Sequence, residues 1–331
     1  MSNVLEITDL KVQFNTGRGV VQAVNGISYS VSPGETVAIV GESGSGKSVA
    51  AMSILRLVQT PPGQIMPGSS IRFDGREILA MDEREMRTLR GGQISMVFQE
   101  PMTSLNPVFT VGAQIAEAIT LHLRLTGRAA RLRALEFLSM VGISDPERRY
   151  EQYPHQLSGG MRQRVMIAMA LSCNPKIIIA DEPTTALDVT IQAQILELMR
   201  SLTKQLGVSL ILITHNLGVV ARYAERVMVM YAGRIVEEGT VREIFRSPRH
   251  PYTIGLLNSI PRMDQRRGTR LIPIKGQPSD LTGLGEGCAY VPRCGWAISR
   301  CMHDNPQLAA LEGGHASACH RKDDVVRETD A

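Results

Sequence analysis

The residues best suited to do chemistry begin at Gly41. Gly41-Glu42-Ser43-Gly44-Ser45-Gly46-Lys47-Ser48 interleaves glycines with hydroxyls and closes on a lysine and a serine. Glycines let backbone N–H groups turn inward around an anion, a task that side chains alone would perform only with a large loss of freedom. Lys47 is placed to reach the β- and γ-phosphates of a nucleotide, and the Ser48 hydroxyl to bind Mg²⁺. Further along, the apolar run from Ile177 to Ala180 ends in Asp181-Glu182. Two carboxylates there are costly to bury without a cation, so Asp181 is expected to hold Mg²⁺. Glu182, one step on, points elsewhere and could polarise a water for in-line attack on the γ-phosphate.

Other residues gain weight from this company. Gln99 ends the apolar stretch Gln93 to Phe98, where a polar amide could hold Mg²⁺ or the attacking water; alone it would read as a surface glutamine. Ser158-Gly159-Gly160 precedes a helix-compatible segment, Arg162 to Ser172, and forms a second anion-binding helix terminus. A γ-phosphate cradled by the first loop has another face left open, so one answer is that this second terminus serves a nucleotide held by another subunit. His215 directly follows the apolar run Val208 to Thr214 and could donate to the γ-phosphate. Phe14 could stack on an adenine ring or simply fill a core.

The elements that must position these groups follow from patterning. Val37 to Val40 reads as a strand feeding the glycine loop, with a helix over Val49 to Val58 behind it. Val4 to Phe14 and Val20 to Val31 alternate as two early strands. Ser70 to Phe73 and Arg76 to Leu79 read as a hairpin about Asp74-Gly75. Helices are expected at Val111 to Leu125 and Ala129 to Val141, so residues of about 105–172 form a helical insertion. A later amphipathic helix carries Ile191, Ile195, Leu198, Met199 and Leu202 on one side. The fold class is α/β.

Length and composition bound the reading. At 331 residues the chain suits one large α/β unit plus an appendage. Its 43% hydrophobic content is ample for a core, and its net charge of +4 is mild. The basic clusters Arg128 to Arg133 and Arg262 to Arg270 lack interleaved aromatics and read as solvated faces, so nucleic acid is not indicated. No apolar run approaches the roughly eighteen residues needed to cross a bilayer, and the start lacks the order of a signal peptide. A soluble cytoplasmic chain is expected.

The chain has five cysteines, and Cys288, Cys294, Cys301 and Cys319 are separated by five, six and seventeen residues. These gaps are wider than common zinc motifs and differ from the ferredoxin pattern, so spacing alone indicates a four-thiolate metal site of open type. Disulfides are the structural alternative, disfavoured in a reducing compartment. His303, His315 and His320 are substitute ligands on this reading and surface residues on the ordinary one. Cys173 suits packing in a core helix.

Taken together, GESGSGKS, Gln99, LSGGM at 157–161, IIIADE at 177–182, ALD at 186–188 and His215 resemble the ATP-binding-cassette ATPases in order and spacing, from residue 4 to about 240. The resemblance implies a P-loop NTPase core in which Gly41, Glu42, Ser43, Gly44, Ser45, Gly46, Lys47 and Ser48 bind ATP. It implies that Ser48, Gln99 and Asp181 hold Mg²⁺, that Glu182 is the catalytic base and that His215 senses the γ-phosphate. It places Ser158, Gly159 and Gly160 on ATP across a head-to-tail dimer, Asp188 at the subunit boundary and Phe14 on the adenine. Met161 stands where the family usually has Gln, a change expected to leave activity intact.

The stretch Ser247 to Thr253, running on to Leu256, Leu257 and Ile260-Pro261, resembles the extension on ATPase subunits of bacterial oligopeptide and dipeptide importers. QEPMTSLNP at 99–107 and HQLSGGM at 155–161 resemble the same subfamily. This implies an ATPase domain over 1–245 and an extension over 246–331, whose small cysteine-rich region is stapled by a 4Fe-4S cluster, with zinc as the alternative. It further implies a second ATPase subunit, a paralogue by preference, two transmembrane permease subunits and an extracellular or periplasmic peptide-binding protein, at the cytoplasmic face of the inner membrane. Nickel or glutathione are alternative cargoes. A non-transport cassette ATPase would show tandem cassettes or a long coiled coil, and a redox sensor built on the cysteine tail is the other rival.

Overall fold

The computed structural model describes residues 3–100, 104–185, 187–259 and 273–325. Pro101, Met102 and Thr103, Ala186 of the ALD motif, Ile260-Pro261 and the basic run Arg262 to Arg270 lie outside the described residues. In chain order the first strands are β1 (Leu5–Thr16), β2 (Gly19–Val31), β3 (Thr36–Val40), β4 (Gly63–Ile65), β5 (Ser70–Phe73) and β6 (Arg76–Glu77). They are followed by β7 (Ile94–Val97), β8 (Ile177–Asp181), β9 (Ser209–Thr214), β10 (Arg226–Tyr231), β11 (Arg234–Thr240), β12 (Ala309–Ala310) and β13 (Ala316–Ser317). The chain divides into two units: one holds residues 1–4, 31–36 and 77–213, the other 5–30, 37–76 and 214–331.

The first unit is a parallel β7–β8–β9 ladder with helices. Ile94 pairs with Ile177, and Ile177 with Ser209. β8 and β9 are buried along their whole length, which is why they read as continuous apolar runs and not as alternation. Between β7 and β8 stand the helices Val111–Leu123, Gly127–Met140, Pro146–Tyr150 and Gly159–Leu171, packed through Ile115, Ile119, Phe137, Leu138 and Val165. The helix Val189–Leu206 is capped by Asp188 and ended by left-handed Gly207. Its buried face is Ile195, Leu196, Met199, Leu202 and Thr203, so Leu196 joins the expected stripe while Ile191 and Leu198 are half-buried.

The second unit joins an antiparallel sheet, ordered β2-β1-β5-β6 with β4 against β1, to a ladder in which β10 runs parallel to β3 and antiparallel to β11. β13 continues antiparallel on β11, and β12 on β13. The expected hairpin forms, but its second strand stops at Glu77 and Ile78–Ala80 turns into a single 3₁₀ turn. The helix behind the glycine loop is Lys47–Ile54, shorter than Val49 to Val58 predicts. Arg56 turns left-handed at φ 50, Leu57 N–H returns to Met52 O at 2.9 Å and Arg56 N–H to Ser53 O at 3.0 Å, a Schellman ending that apolar periodicity does not reveal. The core of this unit gathers Ala38 and Val40 of β3, Val227 and Val229 of β10, and Tyr231, Tyr252 and Tyr290. β3, β10 and the C-terminal residues Tyr252 and Tyr290 thus share one apolar core.

Candidate functional site

The glycine loop lies in the second unit. β3 feeds it and its last glycine, Gly46, stands at the N-terminus of the helix Lys47–Ile54. Gly41 has φ 155 and Gly46 φ 99; a Cβ would lie 2.2 Å from Met230 O at the first and 2.1 Å from Ala23 O at the second. Only glycine fits either place. Gly233 N–H donates to Ser45 O at 3.0 Å, so the loop is also tied to the β10–β11 turn. Lys47 is 5% exposed, and its ammonium donates to Gly41 O and Glu42 O, each at 2.9 Å. This cradle and its buried cation fit a triphosphate, and the half-buried Ser48 beside them suits Mg²⁺.

His215 lies in the same unit, exposed, directly after β9. Asn216 beside it donates its N–H to Thr214 Oγ1 at 3.0 Å and caps the helix Leu217–Tyr223. Phe14, half-buried on β1, packs over Gly63, where a Cβ would lie 2.8 Å from its ring.

Gln99, Asp181 and Glu182 belong to the first unit. Asp181 ends β8 at 7% exposure. Glu182 leaves the strand at φ 44, a left-handed turn that costs a non-glycine residue about 1–3 kcal/mol. Its N–H donates to Ile213 O at 2.9 Å. The Gln99 amide donates to Glu182 Oε2 at 3.3 Å and the Thr185 hydroxyl to the same oxygen at 2.9 Å. Two donors therefore fix the second carboxylate on its strained turn.

Ser158 and Asp188 cap adjacent helices of this unit. Ser158 Oγ accepts Met161 N–H at 3.4 Å, and Asp188 Oδ1 accepts Thr190 N–H at 3.1 Å and Ile191 N–H at 3.0 Å. A Cβ at Gly160 would sit 3.0 Å from Ile191 Cγ2 and one at Gly159 3.5 Å from Leu187 Cδ2. The serine-glycine tip and the Asp188 cap are thus neighbours. Met161 takes part through its backbone.

The cysteine reading is met only in part. The thiols do converge: Cys288, Cys294 and Cys319 each feel the charge of others in the set, which includes Cys301. Among the described residues, however, no group of three or more His, Cys, Asp or Glu side chains is arranged to hold a metal ion. Burial pushes the Cys288 and Cys294 thiols up and Cys319 to about 11 in the metal-free chain. The thiols come together, but the four-cysteine metal site expected for a 4Fe-4S cluster or zinc is not shown among the described residues. His315 also departs from the surface reading. It is 5% exposed, with Nε2 2.8 Å from Glu237 Oε1. His320 Nε2 lies 2.9 Å from Asp304 O, and His303 is exposed. Cys173 is buried just past its helix, its thiol on Ala118 O at 3.4 Å.

Three residues that sequence reasoning passed over stand at the loop and its surroundings. Arg293 forks onto Glu42, Tyr252 touches the Glu42 backbone, and wholly buried Glu237 accepts the N–H groups of Arg249 at 2.5 Å and His250 at 3.0 Å. One signal was available for the first: an acidic side chain inside an anion-binding loop calls for a cation beside it.

The comparisons with known proteins agree with this arrangement. A family profile described as ABC transporter matches residues 24–185, and one described as the C-terminal region of oligopeptide/dipeptide transporters matches residues 236–301. A Brucella melitensis protein named for peptide import and ATP binding is 53% identical over 98% of this chain and 98% of its own length. The oligopeptide transport ATP-binding protein OppD of Bacillus subtilis is 51% identical over 95% of this chain and 88% of its own length. A solved dimeric bacterial ABC transporter cassette superposes with a TM-score of 0.64 at 31% identity, covering 72% of this chain and 99% of that one.

Proposed function

This chain belongs to the ATP-binding subunits of the ABC transporter family, and from that premise we propose that it is the ATP-hydrolysing subunit of an importer for oligopeptides or dipeptides. The observation that carries the chemistry is the Glu182 carboxylate held by Gln99 and Thr185 on a left-handed turn, one residue after buried Asp181. Such a fixed, hydrogen-bonded carboxylate suits a base that orients and deprotonates water.

Lys47 and the loop N–H groups bind the phosphates, and Ser48, Asp181 and Gln99 would hold Mg²⁺. When bound, that ion neutralises charge developing on the transferred phosphoryl group. Glu182 takes the proton of the attacking water, and His215 donates to the γ-phosphate. Phe14 supplies a ring for adenine. No step is routed through the four thiols.

Ser158, Gly159, Gly160 and Asp188 serve a nucleotide held by a second ATPase subunit, a paralogue on our reading. The ATPase portion spans 1–245, with the helical insertion of about 105–172, and the importer-type extension 246–331. No helix among the described residues is long and apolar enough to cross a membrane. On our reading the chain works at the cytoplasmic face of the inner membrane with two permease subunits, which receive peptide from a binding protein. Uptake of labelled di- and oligopeptides by cells with and without this gene tests the cargo. Accumulation unchanged by its deletion would overturn the peptide reading.

A further inference from the structure

Glu42 presents a problem of charge. A carboxylate within a loop built for a triphosphate repels its own ligand unless a cation neutralises it. Arg293 does so with a two-pronged grip, Nη1 on Glu42 Oε2 at 2.5 Å and Nη2 on Oε1 at 2.9 Å. The arginine side chain is only 3% exposed, against 28% for the glutamate. Its third nitrogen, Nε, donates to Lys275 O at 3.0 Å, and its guanidinium carbon lies 5.8 Å from the Tyr231 ring centre and 5.9 Å from that of Tyr290. The fork is therefore fixed before any nucleotide arrives.

The backbone of the same residue is held too. Glu42 N–H donates to the hydroxyl of Tyr252 at 2.8 Å, while Glu42 O accepts the Lys47 ammonium at 2.9 Å. Tyr252 is wholly buried, its ring 4.6 Å from that of Tyr231 and 5.4 Å from that of Tyr290. The backbone of one residue thus links a buried C-terminal tyrosine to the phosphate-binding lysine.

We propose that Arg293 and Tyr252 are positioning residues for the glycine loop: together they neutralise Glu42 and orient its peptide, so the C-terminal region sets the affinity of the loop for ATP. The proposal rests on the ATPase reading above and deepens it. It assigns the extension a role in nucleotide binding that needs no metal.

The test measures Mg-ATP binding and steady-state hydrolysis by the full chain. Arg293→Ala leaves the Glu42 charge facing the ligand, so KM and Kd for ATP rise about tenfold while kcat stays within about twofold. Glu42→Gln in the Arg293→Ala background removes that charge and restores most of the lost affinity, which a purely structural arginine would not allow. Tyr252→Phe deletes one acceptor oxygen and keeps the ring; it weakens ATP about threefold at unchanged kcat, and carries the test if Arg293→Ala does not fold. Arg293→Ala binding ATP like the unmodified chain, or the double variant binding no better than the single, overturns the proposal alone. An unmodified chain that retains no Mg-ATP overturns the ATPase reading and this proposal with it.

Discussion

The side-chain amide of Gln99 donates to the carboxylate of Glu182 at 3.3 Å, joining the end of β7 to the turn after β8. Thr185 supplies the second donor to the same oxygen. Glu182→Gln keeps the shape and removes the base, so the variant is expected to retain Mg-ATP while turnover falls by about 10²–10⁴-fold. Equilibrium nucleotide binding beside phosphate release checks this, and unchanged hydrolysis would remove Glu182 from its role.

Gly46→Ala places a methyl group 2.1 Å from Ala23 O on a left-handed backbone. The loop must move, and the variant is expected to lose about 1–3 kcal/mol from strain alone. Chemical denaturation measures the loss. Stability equal to the parent's would mean the loop has room the structure denies it.

Buried His250 gives the fold an acid-sensitive term. Desolvation lowers its pKa from 6.5 to about 3, while its Nδ1 accepts Tyr252 N–H at 3.1 Å. Below pH 6.5 the unfolded chain takes up a proton that the folded chain refuses until about pH 3. Stability is therefore whole above that window and falls through it by about 1.4 kcal/mol per pH unit from this group. His250→Asn keeps a capping oxygen and lacks the titration, so its unfolding free energy is expected to vary less steeply over the same window. Parallel curves for the two proteins would contradict the assignment.

Thiol reactivity gives an independent check on the C-terminal region. Burial raises the Cys173, Cys288 and Cys294 thiols and brings Cys319 to about 11. Near neutral pH these four are expected to alkylate far more slowly in the folded chain than in denaturant, counted by intact mass. Rapid modification of any of them would show a thiolate where the fold provides for a thiol.

The stretches that sequence reading found most readily were those with one dominant physical requirement. β3 and β8 are buried on both faces and so announce themselves as apolar runs, and the glycine loop joins its strand to its helix as the pattern predicts. Asp188 and Ser158 sit at helix starts, where their side-chain chemistry puts them. Legibility failed where partners lie far apart in the chain. Arg293 and Glu42 are 251 residues apart, and although Glu42 in its loop calls for a cation, nothing local says which residue supplies it. His315 reads as polar surface until Glu237 appears beside it. The cysteine spacing suggested a ligating set, and spacing carries no information about how far burial raises each thiol.

Glu237 has one more consequence. Its carboxylate gathers the amides of Arg249 and His250 and the imidazole of His315, all from beyond residue 245. Cutting the chain at that boundary would strand a bare anion inside the protein, deprived of every one of these partners at once. One buried carboxylate therefore welds β11 to the residues that follow 245.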